Sequence, residues 1–203
     1  MYDEPARAPD RTAITRGRAL RSAAVAAGGA LAAVSALGRA DRGRAAPSDT
    51  DVRALNLLLL VERAEVAFYA AALEGATFGG ELKAFARAVL AHEEEHVAYL
   101  EGALGDAAER APEVDFAAHT GNAGAFARAS ARLEDVAVGA YNGQAAEVSP
   151  GAFLAAARIV SVEARHAAWI RSIRDDDPAP DAVDSPYDER RVRRELRALG
   201  VTA

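Results

Sequence analysis

Residues 89–100 are VLAHEEEHVAYL, and within them Glu93 and His96 stand three positions apart. Residues three apart in an α-helix point the same way, so one helical face carries both side chains. Val89 and Leu100 place apolar residues on that face, which indicates that it is buried. A buried carboxylate and a buried imidazole need compensating partners, so the segment predicts a helix bundle with a polar centre.

The same pair recurs in a second helix, and a lone acid precedes each pair. Glu163 and His166 lie on the apolar stripe of the last long helix, while Glu62 and Glu134 each stand alone in the middle of an earlier one. The predicted helices span residues 51–74, 81–104, about 125–147 and about 150–174, the first with a possible Asp51 cap and the last with a Ser149 cap. The repeated order indicates two matching helix hairpins related by a pseudo-two-fold axis.

All six polar side chains fall near the middle of their helices and therefore lie at one level of the core. Buried, unpaired carboxylates are costly and repel one another, but two divalent cations cancel four such charges. We therefore predict a dinuclear metal centre with six ligands: Glu62, Glu93, His96, Glu134, Glu163 and His166. In this prediction Glu93 and Glu163 bridge the ions or contact both, Glu62 and Glu134 are terminal, and each histidine binds one ion.

The donor types indicate which ions and reactions suit such a centre. Carboxylate oxygen and imidazole suit iron or manganese, and both metals accept the same six ligands. Open positions would admit dioxygen or peroxide, so we expect redox cycling with oxidase, ferroxidase or catalase-like activity. The alternatives are a protein that sequesters metal or withstands stress without catalysis, and a bundle that binds metal only for structure.

The lengths of the connections predict the topology. Short links join helices one and two, and helices three and four, so each pair is antiparallel. Residues 105–124 are long enough to cross the bundle from end to end. An all-α, four-helix bundle with one long crossover follows for residues 51–174. Residues 175–203 are predicted to be a tail whose short amphipathic helix ends at Leu199.

The segments 55–69, 92–96, 133–143 and 162–166 resemble the ferritin-like superfamily of di-iron and di-manganese carboxylate proteins. Within it, the chain is similar to the exported bacterial ferritin-like domain proteins related to plant desiccation-related proteins. The resemblance implies a bundle with one Glu from each of two helices and Glu-x-x-His from each of the others. It also implies export by a twin-arginine-type leader.

Three other polar residues are weaker candidates. Glu65 shares the face of Glu62 one turn on, and we interpret it as an acid that supports a ligand or forms a salt bridge, with an extra ligand as the alternative. His92 is expected at the surface, about 100° around the helix from Glu93. His119 lies in the crossover and is expected to be solvated.

Aromatic residues near the predicted centre have supporting roles. Tyr69 and Tyr141 each follow a lone glutamate by seven positions and are expected to donate hydrogen bonds to ligand carboxylates. An electron-relay role is the alternative for these tyrosines. Trp169, three residues after His166, is expected to pack rather than to take part in redox chemistry.

Composition excludes several classes of site and partner. The chain of 203 residues has no cysteine, which rules out disulfides, thiolate metal sites and cysteine nucleophiles. Its net charge of −6 argues against nucleic acid and anionic membranes as partners. Alanine contributes 53 residues and favours helix. We expect metal ions and dioxygen or peroxide as partners, no stable membrane insertion, and a possible homo-oligomer.

The first forty residues have the pattern of an export signal. Four arginines and no acid occupy residues 11–21, and residues 22–38 carry no charge. Residues 15–21, TRGRALR, resemble a twin-arginine signal in which Gly17 replaces the second arginine. We interpret residues 1–40 as a signal peptide and residues 41–50 as a linker, which predicts a periplasmic, cell-wall or extracellular protein. A cytoplasmic protein with an alanine-rich N-terminal extension is the alternative.

Overall fold

The computed structural model describes residues 47–75 and 77–202, so the predicted signal peptide and residues 41–46 of the predicted linker lie outside it. Within these residues the structure is mainly helical, with one short two-stranded ribbon. The helices are α1 (Asp49–Glu74), α2 (Gly80–Leu104), α3 (Ala117–Thr120), α4 (Ala123–Gln144), α5 (Pro150–Ile173) and α6 (Glu189–Leu199), and the strands are β1 (Glu113–Val114) and β2 (Val201–Thr202). The prediction of an all-α bundle with a short C-terminal helix is confirmed.

Helix α1 begins two residues before the predicted start, so the prediction of an Asp51 cap and of a linker reaching residue 50 is wrong. Ser48 is the N-cap, and its hydroxyl accepts a hydrogen bond from the Asp51 backbone. The Asp51 carboxylate accepts in return from the Ser48 backbone at 3.1 Å, which completes a capping box. The other Asp51 oxygen accepts from the Ser149 backbone at 2.7 Å. One buried carboxylate therefore holds the start of α1 against the start of α5.

The four long helices form two hairpins joined by the long crossover. Helix α1 packs against α2, and α4 packs against α5; across the hairpins, α1 contacts α4 and α2 contacts α5. Residues 105–122 between the hairpins contain a 3-10 turn, β1 and α3. Helix α4 starts two residues before its predicted start and ends three residues earlier than predicted, whereas α5 begins at the predicted Ser149 cap with Pro150 in its first turn.

The C-terminal segment is tied to the outside of the bundle. Helix α6 buries Val192, Leu196 and Leu199, and it packs mainly on α4. After it, β2 pairs with β1 in an antiparallel ribbon that the sequence did not predict. Gly200 between them has φ of +104°, and a Cβ there would lie 1.9 Å from the Asp115 carbonyl oxygen. Glycine is therefore required at that junction.

No helix among the described residues is both long and apolar enough to cross a membrane.

Candidate metal centre

The bundle brings the six predicted ligands together at mid-height. Helices α1 and α4 each contribute one glutamate, and α2 and α5 each contribute a glutamate and a histidine one turn further on. All four glutamates are fully buried, and both histidines are nearly so. The residues are Glu62, Glu93, His96, Glu134, Glu163 and His166, which we call the carboxylate–histidine cluster.

The cluster divides into two overlapping groups that could each hold a metal ion. The first position consists of Glu62, Glu93, His96 and Glu163, and the second position consists of Glu93, Glu134, Glu163 and His166. Within each group, one potential ligand atom per residue lies within 4.8 Å of the others. Glu93 and Glu163 belong to both positions, which is the arrangement required of bridging carboxylates.

Both imidazoles direct Nδ1 at the carboxylates. His96 Nδ1 lies 2.8 Å from Glu93 Oε2, 3.0 Å from Glu163 Oε1 and 3.2 Å from Glu62 Oε2. His166 Nδ1 lies 3.0 Å from Glu93 Oε1 and 3.5 Å from Glu134 Oε2. The Nδ1 atoms are therefore the ones positioned to bind metal.

Burial and nearby charges shift the pKa values of several residues in the cluster. Burial opposes the charged form of both histidines, but contacts with neighbouring carboxylates raise the pKa of His96 and of His166 to about 12. Burial raises the pKa of Glu134 to about 8 and, with the charge of Glu163, raises that of Glu62 well above its usual range. Protons therefore balance these acids when no cation does, and a metal ion that binds here would have to displace them.

The donor set fits two cations. Within the described residues, the buried polar side-chain atoms without a hydrogen-bond partner include one oxygen each of Glu93 and Glu134, both oxygens of Glu163 and Nδ1 of His166. Unsatisfied atoms of this kind are costly in a core unless something else binds them. Four carboxylates also match the charge of two divalent ions, so both stoichiometry and chemistry agree with a dinuclear centre.

Two tyrosines support the lone glutamates across the bundle. The Tyr69 hydroxyl donates to Glu134 Oε1, and the Tyr141 hydroxyl donates to Glu62 Oε1. Both phenols are buried, and burial followed by the charge of the neighbouring glutamate raises the pKa of each well above 10. These are the hydrogen bonds that the sequence led us to expect, but each is made to the opposite hairpin.

Glu65 departs from its predicted environment. Its side chain is fully buried, and it forms neither an ion pair nor a hydrogen bond within the described residues. The interpretation of Glu65 as a salt-bridged acid is therefore wrong.

His92 makes a contact with His166 that the sequence did not predict. It is exposed as predicted, yet its ring stacks on that of His166 with centroids 5.1 Å apart. His92 Nδ1 lies 2.9 Å from Nε2 of His166. This contact could have been predicted from the spacing of four residues between His92 and His96, because residues four apart lie on the same side of a helix.

The remaining candidates lie outside the two positions. His119 is half-buried in α3 and belongs to neither group. Trp169 packs edge-to-face on Phe85 at 5.2 Å, and its indole nitrogen donates to Glu81. Trp169 therefore packs in the bundle, as the sequence predicted.

Comparison with known proteins agrees with this architecture. A family model described as a ferritin-like domain matches residues 50–176. A search of curated proteins finds no match to the chain.

Proposed function

The chain belongs to the ferritin-like domain family, and from that premise we propose that it binds two ions of iron or manganese and acts on dioxygen or peroxide. One observation carries the proposal: two overlapping groups of carboxylate and imidazole atoms share Glu93 and Glu163 at the centre of the bundle.

We assign each ligand according to whether it belongs to one metal position or to both. Glu93 and Glu163 would hold both ions, Glu62 and His96 would bind only at the first position, and Glu134 and His166 would bind only at the second. This assignment is supported by the inward direction of both Nδ1 atoms and by the unsatisfied carboxylate oxygens between them.

The protein residues prepare the centre for this chemistry. Bound iron or manganese supplies one-electron redox steps and open coordination positions for a small oxidant. Tyr69 and Tyr141 hold the terminal carboxylates in orientation through hydrogen bonds. The buried core around them excludes bulk water, which strengthens the electrostatic interactions inside.

Sequestration of metal without catalysis is the competing function, because the same ligands would serve it. Metal analysis of protein purified from its own host, combined with assays of peroxide removal and oxygen consumption, separates the two. We expect about two ions per chain together with turnover. Protein without bound metal would overturn the proposal, and two ions without turnover would favour sequestration.

Two ligand variants and one control sharpen the test. Glu163→Ala removes a shared carboxylate and His166→Ala removes a terminal imidazole, so both are expected to reduce metal content. Glu95→Ala changes an exposed acid on α2 and should leave it unchanged. Normal loading of both ligand variants would contradict the assignment.

We also propose that the chain is exported. The proposal is supported by the arginine-rich and then uncharged pattern of residues 11–38. N-terminal sequencing of protein from the host is expected to find a start beyond about residue 36. A mature chain that keeps its first residues in the cytoplasm would overturn this proposal.

A further inference from the structure

Glu65 shares with the predicted ligands a feature that other buried acids lack. Both of its carboxylate oxygens are buried without a hydrogen-bond partner. Across residues 47–75 and 77–202, every other buried side-chain polar atom without a partner belongs to the carboxylate–histidine cluster. By contrast, the buried carboxylate of Asp51 is fully engaged in capping. Glu65 therefore resembles a ligand in its surroundings, although neither metal position includes it.

The location of Glu65 on α1 associates it with the second position. It lies one turn after Glu62 and one turn before Tyr69, whose hydroxyl reaches Glu134. Burial raises the pKa of Glu65 most, and among its charged neighbours Glu93 and Glu134 raise it more than Glu62 does. Glu93 belongs to both positions, but Glu134, which belongs only to the second position, affects Glu65 more than Glu62, which belongs only to the first.

Helices α1 and α4 differ in the polar residues that lie near their lone glutamates. Glu65 follows the lone glutamate of α1 by three residues, whereas the equivalent residue of α4 is Ala137. Ser130 precedes the lone glutamate of α4 by four residues and lies 2.6 Å from the Tyr69 hydroxyl, whereas the equivalent residue of α1 is Leu58. Both departures from pseudo-two-fold symmetry add a polar group beside Tyr69.

The second position is also the less satisfied of the two by hydrogen bonds. Glu134 Oε2 and His166 Nδ1 are buried without a partner. No buried atom of Glu62 or His96 is in that state, because His96 Nδ1 makes hydrogen bonds with Glu93 Oε2 at 2.8 Å and Glu62 Oε2 at 3.2 Å. His166 Nδ1 lies 3.0 Å from Glu93 Oε1, but that contact lacks the geometry of a hydrogen bond. The second position therefore has more buried atoms that lack a partner than the first, and it is also the position associated with the additional acid, Glu65.

We propose that Glu65 is a seventh protein ligand and that it belongs to the second metal position. The inference rests on the proposed metal centre, but it makes a separate claim about which position this residue serves. Five carboxylates exceed the charge of two divalent ions by one, so Glu65 increases the affinity of the second position and favours a more highly charged ion there. The two positions are consequently inequivalent, and the second fills first.

The experiment measures Mn²⁺ binding by calorimetry in single-position backgrounds. His96→Ala weakens the first position, and His166→Ala weakens the second. Glu65→Gln, which keeps the side-chain volume, is introduced into the full chain and into both backgrounds. We expect Glu65→Gln to weaken Mn²⁺ binding by about tenfold to a hundredfold in the His96→Ala background and to leave binding unchanged in the His166→Ala background.

Controls separate this inference from the metal centre itself. Glu95→Gln makes the same charge change at an exposed site of α2 and should leave both affinities unchanged. Circular dichroism of metal-free Glu65→Gln is expected to show a folded helical protein, because the substitution removes a buried, unpaired acid. If the wild-type chain binds no Mn²⁺, the proposed centre itself fails. The assignment of Glu65 is overturned if the wild type binds two ions and Glu65→Gln leaves the Mn²⁺ affinity unchanged in both backgrounds. It is also overturned if Glu65→Gln lowers the Mn²⁺ affinity equally in both.

Discussion

Tyr141 on α4 donates a hydrogen bond to Glu62 on α1, with 2.5 Å between the phenol oxygen and Oε1. Tyr69 on α1 donates in the opposite direction to Glu134 on α4. Each tyrosine thus follows the lone glutamate of its own helix by seven residues and binds the lone glutamate of the other helix. This exchange orients both lone carboxylates and ties the two hairpins together at the level of the carboxylate–histidine cluster.

Removal of one hydroxyl should therefore affect both stability and metal binding. Tyr141→Phe leaves Glu62 Oε1 without its donor in a dry core, and we expect a loss of about 1–3 kcal/mol in the free energy of unfolding of the metal-free protein. Mn²⁺ binding at the first position is expected to weaken because the carboxylate is no longer held in place. Urea unfolding and calorimetric titration measure the two effects.

Tyr99→Phe provides the matched control, since Tyr99 lies on α2 and has no hydrogen bond to the cluster among the described residues. It should change neither quantity appreciably. A Tyr141→Phe protein as stable as the wild type, with unaltered Mn²⁺ affinity, would mean that the hydroxyl does not organise Glu62.

The parts predicted from sequence are those governed by helical period. Glu93 and His96, like Glu163 and His166, are three residues apart and so share a face in any regular helix. The mid-helix positions of Glu62 and Glu134 then place all six side chains at one level. Such reasoning requires only the rise and rotation of a helix, which is why the cluster follows without knowledge of packing.

The parts that were missed depend on contacts between distant residues. The β1–β2 ribbon joins Glu113 to Thr202 through two-residue strands that have no detectable period. The isolation of Glu65 depends on what α1 faces across the core. The Ser48 cap is a different case, because Ser48 and Asp51 have the spacing of a capping box and the sequence contained that signal.

Stability of the metal-free protein should fall as the pH rises from 5 to 9. Groups whose folded pKa is raised stabilise the protein below their unfolded pKa and lose that contribution as the pH rises through the folded value. This applies to Glu134 with a pKa of about 8 and to His96 and His166 with values of about 12. Glu93, with a pKa lowered to about 2, contributes equally throughout this interval.

Metal should have the opposite dependence because it binds the deprotonated ligands. We expect the difference in Tm between Mn²⁺-loaded and metal-free protein to increase from pH 5.5 to pH 8.5. Thermal unfolding at constant ionic strength measures both curves. Two curves that remain parallel across this interval would show that metal displaces no protons from the cluster.

The contact between His92 and His166 should affect metal binding at the second position. A metal ion bound at Nδ1 of His166 would leave the ring hydrogen on Nε2, which lies 2.9 Å from Nδ1 of His92 and would donate to it. His92→Phe keeps a ring for stacking but removes the acceptor, so we expect about a tenfold loss of Mn²⁺ affinity at that position.

His92→Gln retains an acceptor and should recover part of the affinity, while His119→Phe in α3 serves as the control. The readout is calorimetry in the His96→Ala background, where the second position dominates binding. A phenylalanine variant that binds Mn²⁺ as tightly as the wild type, together with a weaker glutamine variant, would attribute the effect to ring packing rather than to the hydrogen bond.

The Asp51 carboxylate should stabilise the fold at neutral pH. Burial opposes its charge, but hydrogen bonds from Ser149 and Ser48 lower its pKa below 3.8. Asp51→Ala removes the contacts to both helix starts, and we expect a loss of about 2–4 kcal/mol in the free energy of unfolding. Asp49→Ala, an exposed acid in the same helical turn, should cost much less.

The pH dependence of the Asp51 effect follows from the direction of its pKa shift. A lowered pKa gives a contribution that is present above the unfolded value of about 3.8 and is lost as the pH falls through the folded value. Denaturant unfolding of wild type and Asp51→Asn at several pH values should therefore converge in strong acid. A gap that is constant down to acid pH would mean that the charge of Asp51 contributes nothing.

Two glycines of α4 should be needed for the C-terminal segment to pack on the bundle. A Cβ on Gly139 would lie 2.6 Å from the Tyr187 ring, and a Cβ on Gly143 would lie 1.9 Å from the Tyr187 carbonyl oxygen. Alanine has a higher helix propensity than glycine at both sites, but its Cβ would have to displace Tyr187. At Gly139 the Cβ meets the Tyr187 ring, whereas at Gly143 it meets the Tyr187 backbone. We expect Gly143→Ala to lower the free energy of unfolding by about 1–3 kcal/mol. Gly139→Ala should lower it less, because a side-chain ring moves more easily than backbone. Gly102→Ala on α2 meets nothing within 4 Å and should instead stabilise the protein. Urea unfolding orders the three variants; if Gly143→Ala is as stable as Gly102→Ala, the contact with Tyr187 does not hold the C-terminal segment against α4.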